Sequence, residues 1–389
     1  AKSSPDIQLG YLFLDVVPAS VNQTAAWANA SGMRYVMLNS AWYITSGHYN
    51  VSVGAPGYWG GMAGLKQAVG WFEAHGVKVG MHTMSAHIDT RDSYVTPVPD
   101  PRLGKTGNLR ISSALSVGAT SVATVTATAH LPTPTGPLAS ACCDMQIGNE
   151  IITYSAVEPS GLSGVQRGAY GTVAAAHPAG TPIYLLTKAE GMCCWPDATG
   201  VWDPDGTLVD EIGANLARVY DEAGFSQIYF DGNECQERPH GIGAMAQAFW
   251  RHVKRDVLSE GSAQTPYTWH LDSRGGTTDY SATACRAWFD HFKSGIVVST
   301  QQKLLTAQVG WWGFMYHSLA HYATTPDELE YMGARAAAYD AAPSLETGSM
   351  MLTGNGRTME ALAKVRTYLE LDLPAAVKAQ MRAPDMDFC

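Results

Sequence analysis

The run Phe225-Ser226-Gln227-Ile228-Tyr229-Phe230-Asp231-Gly232-Asn233-Glu234 constrains this chain more than any other stretch. A short apolar, aromatic-rich segment ends in an Asp-Gly turn, and a second carboxylate follows three residues on. A buried parallel strand looks like this when it delivers acids to the mouth of a (β/α) barrel. Taken alone, the same residues also suit an Asp that caps the next helix, with Glu234 as a solvated first-turn acid. The rest of the chain decides between the two.

A βα rhythm begins at residue 7. Strands are expected at 7–17, 33–43 and 76–82, with helices at 21–30 and 64–75 between them. A helix over 208–223 leads into the Asp231 strand. Later strands are expected at 266–271, 295–300, 309–316 and 344–350, with helices at 241–258, 326–341 and 357–370. Strands alternating with helices of this length predict a parallel sheet. No Gly-x-Gly-x-x-Gly follows the first strand, so an α/β (β/α)8 TIM-like barrel is favoured over a dinucleotide-binding fold. Between 103 and 190 the rhythm breaks into short alternating runs such as Ser121-Val122-Ala123-Thr124-Val125-Thr126. That pattern predicts a small all-β module inserted after the third strand, with the barrel made of residues 1–102 and 191–389.

In such a barrel the C-terminal strand ends build the active site. They offer Asp15, then Asn39, Trp42 and Tyr43, then His82, then Asp231 and Glu234. Tyr267 to Arg274 adds His270, Asp272 and Arg274, with period two placing those three on one face of an extended segment. The last two strands add Trp311, Tyr316 and Glu346. Carboxylates, histidines and aromatics thus recur at the strand exits, which favours a functional Asp231. Asp15 would otherwise only shape a turn, His82 sit as a core imidazole, and half of Trp311-Trp312 be core. His82, His87 and Asp89 hint at a metal, but nothing fixes a third ligand, so no metal and no cofactor are expected.

Composition removes whole classes. A formal net charge of −10, with no Lys/Arg-rich run, argues against a nucleic-acid partner. No apolar run approaches the roughly 20 residues needed to span a bilayer. Three sequons, at Asn22, Asn29 and Asn50, and seven cysteines favour a secreted or cell-surface glycoprotein. The adjacent pairs Cys142-Cys143 and Cys193-Cys194 are placed to bridge to each other, and no Cys-x-x-Cys suggests zinc. The first residues lack a signal-peptide core, so any leader is expected to have been removed, and an end on Cys389 suggests a native chain that continues. Nothing in the sequence sets the oligomeric state.

Tyr229-Phe230-Asp231-Gly232 resembles the strand-four Trp-Phe-Asp-Gly segment of α-L-fucosidases and, more loosely, that of α-galactosidase-like barrel hydrolases. Gly76-Val77-Lys78-Val79-Gly80-Met81-His82 is similar to their third strand. The resemblance implies a retaining glycoside hydrolase with Asp231 as nucleophile. The chain departs from the fucosidases in lacking paired histidines after strand two and in carrying the β module, and the acid/base does not carry over. That module, through Ile147 to Ile151, Gly164 to Thr172 and Ala176 to Thr181, resembles small β modules of phage tail and surface proteins.

The expected function is therefore extracellular hydrolysis of a polysaccharide or glycoconjugate by a carboxylate pair. Asp231 is the nucleophile, and Asp272, Glu234 and Glu346 are the candidates for its partner, in that order. A polysaccharide lyase using Tyr43, His82, His270 and Arg274 on a uronate is the first alternative. A non-catalytic carbohydrate-binding surface glycoprotein is the second.

Overall fold

The computed structural model describes residues 6, 9–39, 42–53, 59–133, 143–187, 202–236, 238–275, 286 and 305–382. The expected strand at 295–300 and Cys142, Cys193 and Cys194 lie outside them.

Three strands come first: β1 (Tyr11–Leu14), β2 (Tyr35–Leu38) and β3 (Lys78–Met84). Seven short strands follow: β4 (Lys105–Arg110), β5 (Ser121–Ala123), β6 (Asp144–Ile147), β7 (Glu150–Thr153), β8 (Ala156–Glu158), β9 (Gly161–Ser163) and β10 (Pro182–Leu186). The chain then forms β11 (Gln227–Asp231), β12 (Leu258–Gly261), β13 (Arg274–Gly275), β14 (Gln308–Gly313) and β15 (Ala342–Glu346). Eight of these make one sheet in the order β13-β12-β11-β3-β2-β1-β15-β14, and every described pairing in it is parallel. A parallel bridge from Arg274 to Thr306, just ahead of β14, brings the two edges together into a nearly closed barrel.

Hydrophobic periodicity explains why helices cover this sheet. The helix Leu208–Ala223 buries Leu208, Ile212, Leu216, Val219 and Ala223 along one stripe. Asp210 and Glu211 sit in its first turn, and Gly224 ends it at φ 91°, a left-handed cap that suits glycine. The apolar residues facing these helices form the large outer core. A separate cluster of Tyr11, Phe13, Tyr35, Met37, Tyr229, Leu258 and Trp311 fills the inside of the barrel. The alternation along β1 and β2 sends odd residues inward and even ones to the helices.

Several expected boundaries move. Strand one is only Tyr11–Leu14, and β15 stops at Glu346, shortly before the helix Ser349–Gly354. The fifth strand is Leu258–Gly261, not 266–271. Residues 265–272 form turns instead, with Thr268 N–H bonded to Thr265 O and Asp272 N–H bonded to Thr268 O. The helix expected to reach 258 ends at His252.

The strands between β3 and β11 pair antiparallel in two sheets, β4-β10-β6-β7 and β5-β9-β8, around an apolar core of their own. Glu150 is buried at its centre. Its carboxylate accepts from Arg167 Nε and Nη2, both at 2.7 Å, from His177 Nε2 at 2.9 Å, and from the Gly168 and Ala175 amides. Burial pushes its pKa up, but the Arg167 and His177 hydrogen bonds outweigh that and bring it down to about 2. The stabilisation is thus fully present above the ordinary carboxylate value and is lost as pH falls towards 2. Replacing Glu150 with Gln should cost about 2 kcal/mol, the scale of hydrogen bonds to a charged group. Thermal unfolding at neutral pH checks this, and the variant should lose the part of the acid sensitivity that Glu150 contributes.

Candidate active site

Asp231 closes β11 at the C-terminal end of the barrel, where its side chain keeps 24% of its surface exposed. Its Oδ2 accepts from His82 Nε2 at 2.9 Å, and its Oδ1 accepts from the Tyr229 hydroxyl at 3.1 Å and the Gly232 amide at 2.8 Å. Tyr229 reaches it because period two puts residues 229 and 231 on the same face. His82 reaches it because β3 and β11 pair with Tyr229 opposite His82. Gly232 turns the chain away at φ 72°, which lets its amide fold back on the carboxylate. Ser85 clamps the turn, its amide and hydroxyl both donating to the Asp231 carbonyl, at 2.9 and 2.8 Å.

Burial pushes the Asp231 carboxyl up. The His82 hydrogen bond and charge, the Gly232 amide and the Tyr229 hydroxyl pull harder, so the net pKa falls below its ordinary 3.8. The site thus holds a carboxylate ionised in a largely buried position. Its contribution to stability is present above that ordinary value and fades as pH falls through the lowered one. Removing His82 takes away the strongest lowering partner and leaves the burial. His82→Ala should therefore move the acid limb of a kcat/KM profile to higher pH. An unmoved limb would show that His82 does not govern this carboxyl.

Beneath Asp231 lies an aromatic floor. The His82 ring packs on Phe13 (centroids 5.0 Å apart) and on Tyr229 (5.4 Å). Trp311 stacks on Phe13 at 5.5 Å and meets Tyr229 edge-on at 4.8 Å. Lower still is a buried polar layer. Glu260 accepts from the Tyr11 hydroxyl at 3.0 Å and pairs with Arg274 at 3.3 Å. Burial drives the Glu260 carboxyl pKa up, with Arg274, Gln308 and Tyr11 opposing. The Trp311 indole donates to the Tyr11 hydroxyl at 2.6 Å, tying floor to layer.

The other sequence-predicted residues divide clearly. Glu346 ends β15 half-buried, in register with Phe13 and Gly313, on the inward face. Glu234 is exposed one turn beyond Asp231, where the Ser262 hydroxyl donates to it. Asn39 is exposed at the end of β2, and Tyr43 is half-buried with its oxygen near the Met84 amide at 3.4 Å. Asp15 is exposed, but its carboxylate accepts from the Ser349 amide at 2.9 Å and so shapes the turn into the Ser349–Gly354 helix. Tyr316 stands half-buried on the loop after β14.

Four expectations need correction. Asp272 is buried behind β12, where a Cβ on Gly261 would lie 2.9 Å from its Oδ2, so it does not face the cleft. Arg274 is wholly buried and donates to Leu9 O at 2.8 Å near the opposite end of the barrel, so it cannot orient a sugar acid. His270 lies exposed on a turn, because 268–272 is not extended and period two does not apply. Trp42 is fully buried outside the sheet, and its indole donates to the His82 carbonyl at 2.8 Å. It supports the site from behind instead of touching a ligand.

Solved structures of glycosidases share this architecture. A β-L-arabinopyranosidase of family GH27 from Geobacillus stearothermophilus superposes with a TM-score of 0.51 at 13% identity, over 94% of this chain and 79% of that one. An α-galactosidase from Thermus thermophilus gives 0.52 at 9% identity, over 94% of this chain and 62% of its own length. An α-amylase from Geobacillus thermoleovorans gives 0.54 at 8% identity, over 94% and 79%. The chain has the (β/α)8 fold of these glycosidases. No family model and no curated protein sequence matches it.

Within that barrel, Tyr229, Phe13 and Glu260 are the site residues that sequence reasoning missed. Tyr229 carried a usable signal, two residues before Asp231 on a strand. Glu260 carried none, since Leu258-Ser259-Glu260-Gly261 has the look of a polar turn.

Proposed function

We propose that this protein is a retaining glycoside hydrolase in which Asp231 attacks the anomeric carbon. The observation that carries the proposal is the carboxylate itself. It is ionised by three donors, stands on an aromatic floor, and lies at the strand end where barrel enzymes do chemistry. Glycosidases among the structures of the same fold support the reaction class. The floor rings Phe13, Tyr229 and Trp311 are themselves buried, so they fix Asp231 and His82 from below and leave polar groups at the edge of the mouth to hold the sugar hydroxyls.

Glu346 is the partner acid in this reading. With Asp272 buried, it is the candidate on an inward strand face across the mouth from Asp231, whereas Glu234 follows in the same strand's turn. In the first step it protonates the leaving oxygen, and in the second it deprotonates the water that releases the sugar from Asp231. Glu346→Gln should lower kcat on unactivated glycosides by about 10² to 10⁴-fold. It should leave the first step on a p-nitrophenyl glycoside much less affected, because that leaving group needs little protonation. Equal losses on both substrates would remove Glu346 from the role.

The uronate lyase alternative loses Arg274, which is committed to Glu260 beneath the floor. An extracellular setting and a polysaccharide or glycoconjugate substrate complete the proposal. Asn22, Asn29 and Asn50 are all exposed, as glycan acceptors must be. Among the described residues no helix is long and apolar enough to cross a membrane.

A further inference from the structure

The loop after β14 is a built tongue. Its base is closed by the Thr324 amide on Met315 O at 3.0 Å and the Met315 amide on the Thr324 hydroxyl at 2.9 Å. Asn355 Nδ2 holds both arms, donating to Met315 O at 2.9 Å and Thr324 O at 2.8 Å. At the tip the Ser318 amide bonds to His321 O, and the Ser318 hydroxyl accepts from the Ala320 and His321 amides. Four rings pair along the tongue, Tyr316 with His321 at 5.7 Å and His317 with Tyr322 at 6.3 Å. Yet Tyr322 is 84% exposed, and Leu319 at the tip is fully exposed. So much ordering around exposed rings contributes little to the core, and exposed apolar groups of this kind mark a binding surface.

A second set of rings stands on the loop after β12. Tyr267 and Trp269 are both exposed there, on a turn stiffened by reciprocal bonds between Thr265 and Thr268. Both loops leave the barrel at the end that carries Asp231, from the strands fifth and seventh in order around it. The tongue grows out of the strand whose Trp311 lies in the floor of the site. The exposed rings of these two loops, flat and polar-edged, match the C–H faces of further sugar units.

Resting on the hydrolase reading above, we propose that the 315–324 tongue and the Tyr267–Trp269 turn form a stacking rim for sugar units beyond the one at Asp231. The substrate is then an oligosaccharide or longer glycan, not a single glycosyl unit on a small aglycone.

The test compares p-nitrophenyl α-D-galactopyranoside with stachyose, and p-nitrophenyl α-D-glucopyranoside with maltohexaose. Tyr322→Ala and Trp269→Ala should each lower kcat/KM on the longer sugars about threefold to tenfold, and Tyr322→Phe should restore it. Activity on the aryl glycosides should stay within about twofold. Calorimetry on Asp231→Asn protein with stachyose and maltohexaose keeps the two proposals apart. If a longer glycan binds and Tyr322→Ala weakens it, while the unsubstituted protein cleaves nothing, the rim stands and the hydrolase reading falls. If aryl glycosides are cleaved but the rim variants change neither long-chain turnover nor binding, the rim falls. Equal losses on short and long substrates, failure to bind either longer glycan, or a Leu319→Asp change in oligomeric state with glycan binding untouched would also overturn it.

Discussion

Asp231→Asn protein should fold normally and lose at least about 10⁴-fold in kcat on any glycoside that the unsubstituted protein cleaves. The amide keeps the shape of the carboxylate: its oxygen can still accept from the Gly232 amide while its NH2 group donates to His82 Nε2, so the turn held by Ser85 survives. What it loses is the charge and the nucleophilic oxygen. Turnover with an activated aryl glycoside and thermal unfolding, measured on the same preparation, separate the two consequences. Unchanged unfolding with collapsed turnover is the expected pair. Retained turnover would move the chemistry elsewhere in the mouth.

Arg274→Ala should be the most damaging single change to the fold, costing about 3–5 kcal/mol. The guanidinium is wholly buried, pairs with Glu260, donates to Leu9 O, and lies 5.3 Å from the centre of the Tyr11 ring. Without it, Glu260 is left in the barrel interior with the Tyr11 hydroxyl and Gln227. Replacing both charges, as Glu260→Met with Arg274→Met, removes the penalty along with the pair and should recover most of the loss. Denaturant titration of the two single variants and the double variant measures this. If the double variant is no better than Arg274→Ala, the cost lies in lost packing and not in an abandoned charge.

The same residues show how far the sequence could be read. β3 and β11 were legible because buried parallel strands give near-continuous apolar runs, and these ended in His82 and Asp231. Glu346 was legible as the carboxylate of the last strand, but its place at the strand end and on the inward face follows only from the register with Phe13. The fifth and sixth strands were not. Leu258–Gly261 carries Ser259 and Glu260, and Arg274–Gly275 is only a pair of residues. Their buried charges neutralise each other across neighbouring strands, which pattern along one strand cannot reveal. Pro266 to Leu271, by contrast, has the aromatic and β-branched content of a strand but turns at Thr265 and Thr268. That single misplacement drew Asp272, His270 and Arg274 into the expected site. The partnership of Tyr229 with Asp231 follows from alternation and needed only the strand's inward face to be known.

The central claim is that Asp231 forms the bond to the sugar. Incubation with a panel of 2-deoxy-2-fluoro and 5-fluoro glycosyl fluorides, followed by peptide mass spectrometry, tests it most directly. The account predicts one stoichiometric glycosyl adduct, on the peptide containing Asp231, that is absent from Asp231→Asn protein. An adduct on another carboxylate, or inversion at the anomeric carbon with no trapped species, would contradict it.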